Sequence, residues 1–261
     1  MNIPKAQRNL LLIASIAMIV TVLTALPGQS HNSLGSRSAQ RKMDPKSEQN
    51  PLPLANYTSS GTGDEENPAL RRIRSKRYDN RDLVKEDPQA EAVDRTEHWW
   101  AGLSALPVAQ SDAVVLGKVT KANAYLSSDK TGVYSEFKIR VERVFKNYDS
   151  LRLGPGDSVT LGREGGAVKF PSGHVQRYSL TGQIMPQVGQ LYVFFLKHNV
   201  QEQDFSILTA YEMNKGRIFP LDRVDVFAPY ENAAQNLFLN RLSESIANPQ
   251  QPILKQGSEQ R

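Results

Sequence analysis

The chain has 261 residues, with 32 lysines and arginines against 27 aspartates and glutamates, and a formal net charge of +5. It contains no cysteine, which excludes a disulfide scaffold, a thiolate zinc site, an iron–sulfur cluster and a cysteine nucleophile. Hydrophobic residues make up only 39%, below the usual share of a globular chain, so we expect part of the sequence not to fold.

Residues 1–28 carry the pattern of an export signal. Lys5 and Arg8 precede an uncharged apolar run from Leu10 to Leu26, and a basic head before an apolar core is typical of secretory signals. The run is long for a cleaved signal and short for a full membrane span. A cleaved signal peptide and a retained single-pass anchor therefore both stay open, and the polar stretch that follows slightly favours the anchor. Either form predicts that the remaining chain is exported and faces the extracytoplasmic side.

Residues 29–95 are predicted to be a disordered polar linker, because they contain few large apolar residues and no sustained period. A basic cluster lies within this segment. It is interpreted either as a contact for an anionic polymer, lipid or nucleic acid, or as a solvated stretch offset by nearby carboxylates; the second is preferred. Residues 74–77 are also a candidate protease site. The cluster consists of Arg71, Arg72, Arg74, Lys76, Arg77 and Arg81.

Residues 96–228 are predicted to form a mainly β domain. A short helix is expected at its start, since Thr96 fits an N-cap and Pro107 would end the helix. Trp99 and Trp100 lie in this stretch, and we expect them to seal the edge of the core, with a ligand platform as the alternative. No predicted folded portion shows a concentrated basic stripe, so we expect no nucleic-acid partner.

Eight strands are predicted in this domain. The clearest spans residues 133–145, where alternate apolar residues face one way. Gly117 predicts a bulge or a sharp bend in the first strand, and a slip of phase after Val141 predicts a second bulge. A turn at residues 128–132, with Gly132 in the left-handed conformation, predicts a hairpin. The apolar run 191–196 predicts a strand that is covered on both faces. The predicted strands are 113–124, 133–145, 158–163, 167–170, 174–178, 191–196, 205–213 and 217–221.

Short strands with regularly spaced turns predict a closed barrel or a sandwich. We favour a small OB-like barrel, closed or partly open, with a C-terminal amphipathic helix over residues 229–248 packed on its outer face. Binding of that helix to a partner or membrane is the alternative. Residues 249–261 are predicted to be a disordered tail. The apolar stripe of the helix is Ala234, Leu237, Phe238, Leu242 and Ile246.

Three segments carry a resemblance to a known family. Residues 112–119 resemble the first strand of exported OB-type barrels of the netrin-like, tissue-inhibitor-of-metalloproteinase type, and residues 143–146 and 156–159 are similar to the next two strands. The chain is also similar to an uncharacterised family of exported bacterial β-barrel proteins. The resemblance implies an exported OB-type fold and inhibition of an extracellular enzyme. The N-terminal cysteine through which such inhibitors act is missing here.

The densest polar cluster of the predicted domain is the candidate ligand site. Pairing of strands across the turn at residues 171–173 would bring Lys169 and His174 near Arg163, forming a small anion- or carboxylate-binding surface. An ordinary charged hairpin is the preferred alternative. The candidate residues are Arg163, Glu164, Lys169, His174 and Arg177.

The sequence offers no pattern that indicates catalysis. The four histidines lack metal-ligand spacing, and there is no phosphate loop, dinucleotide fingerprint or serine elbow. We therefore expect no catalytic residue, metal or cofactor. The predicted function is a non-enzymatic binding or scaffolding module of the cell envelope that binds a protein or polymer. An extracytoplasmic enzyme with an unrecognised site and an inhibitor of an extracellular enzyme are the alternatives, and the oligomeric state stays open.

Overall fold

The structure is a computed structural model that describes residues 52–58, 67–148 and 152–249. The predicted signal or anchor at residues 1–28 lies outside the described residues, as does the predicted tail beyond residue 249. Across the three described ranges, no helix has both the length and the apolar character needed to cross a membrane.

The described residues are mainly β, as the sequence predicts, and all eight predicted strands are present. Two α-helices and one 3-10 helix, Asp225–Tyr230, accompany the strands. The strands are β1 (Leu54–Asn56), β2 (Ala92–Arg95), β3 (Ala113–Leu126), β4 (Val133–Lys146), β5 (Ser158–Glu164), β6 (Gly166–Lys169), β7 (Val175–Leu180), β8 (Leu191–Asn199), β9 (Asp204–Asn214), β10 (Arg217–Pro220) and β11 (Ala233–Ala234), and the helices are α1 (Pro68–Lys76) and α2 (Gln235–Ala247).

The strands form two sheets, and one of them is ring-like. Its order is β11-β10-β9-β5-β4-β3-β8, and β8 also pairs with β9. Five strands, β3, β4, β5, β9 and β8, therefore close into a ring of paired neighbours. Within the ring only the β5–β9 pair is parallel. The smaller sheet has the order β1-β6-β7-β2, and both of its outer strands pair in parallel with an inner strand.

The inside of the ring is filled by alternate apolar residues. Phe137, Ile139 and Val141 of β4 point into this core, because successive side chains of a strand face opposite ways. The two predicted irregularities coincide in one bulge. The pairing of β3 with β4 shifts between Leu116 and Gly117, whose partners are Arg143 and Val141, so Glu142 of β4 is the extra residue.

Strand β8 is covered on both faces, as predicted. Phe194 lies in the core inside the ring, whereas Phe195 belongs to a second apolar layer outside it. Phe227 of the 3-10 helix and Phe238 and Leu242 of α2 pack in that outer layer, and all three are fully buried.

Two helix predictions need correction. The stretch after Thr96 forms turns rather than a helix, since Gly102 takes a φ of +80°, which no helical residue adopts. Helix α2 begins at Gln235 and not at residue 229. Asn232 has a φ of +59°, which separates the 3-10 helix from α2. Leu237, predicted in the apolar stripe, is 53% exposed.

The structure also corrects the linker prediction for residues 52–58 and 67–95. These residues form β1, α1 and β2, and the two strands extend the smaller sheet. Asn67 caps α1 by accepting a hydrogen bond from the amide of Ala69, and Pro68 occupies the first turn. The apolar count of this segment is misleading because its few apolar residues, such as Ala55 and Val84, are buried against the β domain, and polar contacts with that domain add to them. Residues 67–84 are called the arm below.

Candidate functional site

The outward side of β3, β4 and β5 is rich in charged side chains, and we call it the outer strand face. Side chains of β4 that do not enter the ring core lie here: Tyr134, Glu136, Lys138 and Arg140 form one row. The arm covers the end of this row that contains Tyr134 and Glu136, which are fully or almost fully buried. These two positions mark the covered half, and Lys138 and Arg140 mark the open half.

Two arginines of the arm form ion pairs in the covered half. Arg77 donates from both terminal nitrogens to the two carboxylate oxygens of Asp204, each at 3.0 Å. The Nε of Arg74 donates to the carbonyl oxygen of Glu202 at 2.8 Å and lies 3.6 Å from the Asp204 carboxylate. Its Nη1 lies 3.6 Å from Glu136. Since the side chains of Arg74 and Asp204 are 2% and 0% exposed, water screens these pairs little.

A pair of tyrosines completes the covered half. The rings of Tyr78 and Tyr134 stack with centroids 4.4 Å apart, and Arg77 donates to the Tyr78 hydroxyl at 3.0 Å. Burial raises the pKa of Tyr78 to about 12, and burial together with the Glu136 carboxylate also raises the pKa of Tyr134. Burial alone would lower the pKa of Arg77, but Tyr78 and Asp204 outweigh it and raise that pKa. The arginine is therefore charged and both hydroxyls are neutral near neutral pH.

The loop between β3 and β4 holds the end of the arm. Asp129 accepts a hydrogen bond from the Asn80 amide at 2.8 Å, and the Asp129 amide donates to Asp79 at 3.1 Å. The prediction of a left-handed Gly132 is wrong, because Lys130 adopts that conformation instead. Position 132 needs a glycine because the arm passes close to it. A Cβ at position 132 would lie 2.3 Å from the carbonyl oxygen of Tyr78.

The basic cluster of the arm is thus largely directed into the domain. Arg74 and Arg77 contact Asp204, Arg81 lies 3.5 Å from Glu164, and Arg71 lies over the ring of Tyr125 at 4.6 Å. The candidate protease site at residues 74–77 overlaps α1, and its first two residues are buried. An extended, cleavable conformation of this site therefore requires the arm to undock.

The open half carries four cations on two neighbouring strands, called the basic quartet. A bulge in β3 assembles it. Thr120 is the extra residue, and its hydroxyl donates to the Lys138 carbonyl oxygen. Residues 118 and 121 are three apart in the chain, yet both face outward because of this bulge. They pair across the strands with Arg140 and Lys138, respectively. The quartet is Lys118, Lys121, Lys138 and Arg140.

Three members of the quartet have little local compensation. Within the three described ranges, no ion pair includes Lys118, Lys138 or Arg140. The nearest carboxylates along β4 are Glu136, two residues before Lys138, and Glu142, two residues beyond Arg140. Glu136 already forms an ion pair with Arg74. The sequence alone does not reveal this basic patch, because two of its cations lie on β3 and two on β4. To predict it, one would have to combine the outward row of β4 with a bulge in β3.

Arg163, the central residue of the predicted ligand site, has a structural role. It lies on the same side of β5 as the core residue Leu161 and is buried. One terminal nitrogen lies 2.7 Å from both carboxylate oxygens of Asp222, and the other donates to the Ile184 carbonyl oxygen at 2.8 Å. Its guanidinium also lies over the Trp99 ring. Arg163 is therefore buried and paired inside the domain, whereas the sequence pattern predicts it on a binding surface.

The other four predicted residues do not gather around Arg163. Lys169 and Arg177 share a face of the smaller sheet through the pairing of β6 with β7. A ring nitrogen of His174 lies 3.0 Å from the Ala90 carbonyl oxygen. Glu164 forms ion pairs with Arg95 at 2.8 Å and with Arg81.

Glu164 has an unusual environment but no room for a ligand. Burial raises its pKa, although the charges of Arg81 and Arg95 act to lower it. The cavity that it lines with residues such as Val133 and Tyr178 has a volume of about 10 Å³, which is near the minimum for one water molecule. Over residues 52–58, 67–148 and 152–249, no group of three or more histidines, aspartates or glutamates is arranged to hold a metal.

The fold and the outer strand face define a class of molecule: an ordered β domain with a divided, charged face. A scan against protein-family models finds no match for the chain, and a search of curated proteins finds none either.

Proposed function

We propose that this protein is an exported or membrane-anchored component of the cell envelope, in which the β domain is a non-enzymatic binding module. The observation that carries the proposal is the basic quartet, whose like charges lie together on the surface. Like charges directly opposite each other across two strands destabilise a sheet. The arm neutralises the neighbouring charges, but the quartet stays exposed despite its cost. This contrast favours a role of the quartet in binding an anionic partner.

The domain is proposed to be an OB-type barrel. The order β3-β4-β5-β9-β8, closed between β8 and β3, supports this fold, as does the parallel β5–β9 pair. OB-type barrels bind ligands on the face of their second and third strands and on the adjoining loops. Here the second and third ring strands are β4 and β5. The open half of the outer strand face lies at that position, while the arm covers the rest.

The buried carboxylates favour binding over catalysis. Asp204 is paired with Arg77 and Asp222 with Arg163, so each already has a structural partner. The inhibitor alternative depended on a family whose functional cysteine this chain lacks. No specific observation favours it.

Export is tested with the full chain carrying a C-terminal tag in a bacterial host. We expect the tag in the membrane or extracytoplasmic fraction, and we expect protease added to spheroplasts to digest it. N-terminal sequencing of the product distinguishes a cleaved signal from a retained anchor. An intact product in the cytosol would overturn the proposed location.

Binding is tested by capture from envelope extract at low salt. The full chain is compared with the variant Lys138→Glu/Arg140→Glu, which reverses two charges of the open half. We expect the wild type to retain an envelope component that the variant loses. Equal capture by both proteins would overturn the open half as the binding face, and capture by neither would overturn the proposed envelope role.

A further inference from the structure

We infer that the ligand of the basic quartet is an acidic polysaccharide, a linear polymer with carboxylates on a sugar backbone. This inference rests on the proposed function and names the ligand class for the same face. The quartet consists of two cross-strand pairs, Lys118 with Arg140 and Lys121 with Lys138. The partners of a pair are about 5 Å apart at their Cβ atoms, and successive outward positions along a strand are about 7 Å apart. Four cations at such intervals suit a chain of repeated charges better than one small anion.

The neighbouring strand adds neutral hydroxyl groups to the cations. Lys138 pairs with Thr160 and Arg140 pairs with Ser158 across β4 and β5. Cross-strand partners lie on the same face, so each cation has a hydroxyl beside it. Hydroxyls donate and accept hydrogen bonds, which matches the sugar hydroxyls between carboxylates. Polyphosphate offers only hydrogen-bond acceptors, so the hydroxyl oxygens of Ser158 and Thr160 would receive no hydrogen bond from it.

The outer strand face is poorly suited to nucleic acid. Proteins that bind single strands stack the bases on aromatic side chains. The two tyrosines of this face are not available, since Arg71 lies over the ring of Tyr125 and Tyr78 stacks on Tyr134. The patch therefore offers charge and hydroxyls without a stacking surface.

A membrane surface is also a poor fit. Peripheral membrane binding combines basic residues with apolar side chains that enter the lipid. Over the three described ranges, the large apolar residues that are exposed all lie outside β3, β4 and β5. The quartet has no apolar anchor on its own strands.

The inference is tested with the purified full chain and polygalacturonate, with dextran, polyphosphate and single-stranded DNA in parallel. Binding is measured by biolayer interferometry over a series of salt concentrations. We expect polygalacturonate to bind and neutral dextran not to bind. Lys138→Gln/Arg140→Gln should weaken polygalacturonate binding at least about tenfold and reduce the salt slope by about one to two.

The matched control is Lys215→Gln/Arg223→Gln. It removes the same charge from two exposed positions outside the outer strand face, and it should leave the affinity for polygalacturonate within about twofold. An equal loss in both variants would mean that net charge alone drives binding, and this would overturn the assigned site. Tighter binding of polyphosphate or DNA than of polygalacturonate would overturn the ligand class.

Failure of the polysaccharide assignment can be distinguished from failure of the proposed function. If envelope capture depends on the open half but polygalacturonate does not bind, the polysaccharide assignment fails and the binding module stands. If capture fails while polygalacturonate binds through the quartet, the ligand class stands and the proposed envelope role fails.

Discussion

The two halves of the outer strand face use the same kind of residue for opposite purposes. Glu136 and Arg140 stand in one row of β4, two positions from Lys138 on either side. In the covered half, the arm brings arginines to carboxylates away from water, so that removing one partner leaves a buried charge. In the open half, cations face solvent and one another, and surface charges of this kind contribute little to stability. The comparison teaches that burial, and not residue type, decides whether a charge stabilises this fold or stays available to a ligand.

Breaking the covered half should have the largest effect. Asp204→Asn removes the buried carboxylate that Arg74 and Arg77 share, and losing one partner of such a cluster costs about 3–5 kcal/mol. We expect the free energy of unfolding, measured by urea denaturation, to fall by that amount. Asp225→Asn, at an exposed aspartate, is the matched control and should change the free energy of unfolding by less than about 0.5 kcal/mol.

The same variant should also loosen the arm. Residues 74–77 become a protease site only when the arm undocks, so trypsin should cleave Asp204→Asn there faster than it cleaves the wild type. Unchanged cleavage together with unchanged stability would show that the ion pairs do not hold the arm.

A smaller effect is expected from one hydroxyl in the same half. Tyr78→Phe keeps the ring stacked on Tyr134 but removes the acceptor for Arg77. Hydrogen bonds to charged groups contribute about 1.5–3 kcal/mol, and Arg77 keeps Asp204, so we expect a loss near the lower limit. Tyr148→Phe, at a tyrosine that is 59% exposed, should have no measurable effect. Equal stability of the two variants would contradict the assigned role of the Tyr78 hydroxyl.

The pH dependence of stability tests the buried carboxyl of Glu164. Its folded pKa is raised above the ordinary 4.5 by burial, so the folded chain binds this proton more readily than the unfolded chain does. The contribution of Glu164 to the free energy of unfolding therefore falls as the pH rises from 4.5 through the raised pKa. Subtracting the pH profile of Glu164→Gln from that of the wild type should reveal this decline. A flat difference would refute it.

Neutralising the open half should change stability least. Lys138→Gln/Arg140→Gln removes cross-strand repulsion, so the free energy of unfolding should stay within about 0.5 kcal/mol of the wild type. Any gain should be largest at low salt and vanish as screening increases. A loss of more than about 1 kcal/mol would mean that these cations, like Arg74 and Arg77, hold the fold together.

Local pattern was sufficient for most of the β domain. Alternation in β4, the run in β8 and the turn residues between strands are encoded by neighbours in the chain, so every predicted strand is found. The helix after Thr96 was wrong because Gly102 takes a left-handed conformation there. Helix α2 starts later than predicted because Asn232 also takes a left-handed conformation. The spacing of apolar residues does not indicate a positive φ at that position.

The candidate site was harder to predict because its partners are distant in the chain. Arg163 looks like a surface cation until Asp222 is placed beside it, 59 residues later. The arm looks like a linker because its partner carboxylate, Asp204, lies 127 residues beyond Arg77. Apolar counting misses a segment that combines buried ion pairs with a few buried apolar residues, such as Tyr78 and Val84.

The sequence by itself determined the mainly β character of the domain, its eight predicted strands and the bulge where Gly117 meets Val141, because these depend on side-chain alternation over a few residues. Only the tertiary structure decided which charges are buried with a partner and which stay exposed. That choice depends on the ring closure that positions Asp204 and on the bulge that turns Lys118 and Lys121 to one face. Electrostatic energy depends on the distance between charges and on their burial, and residue order alone specifies neither.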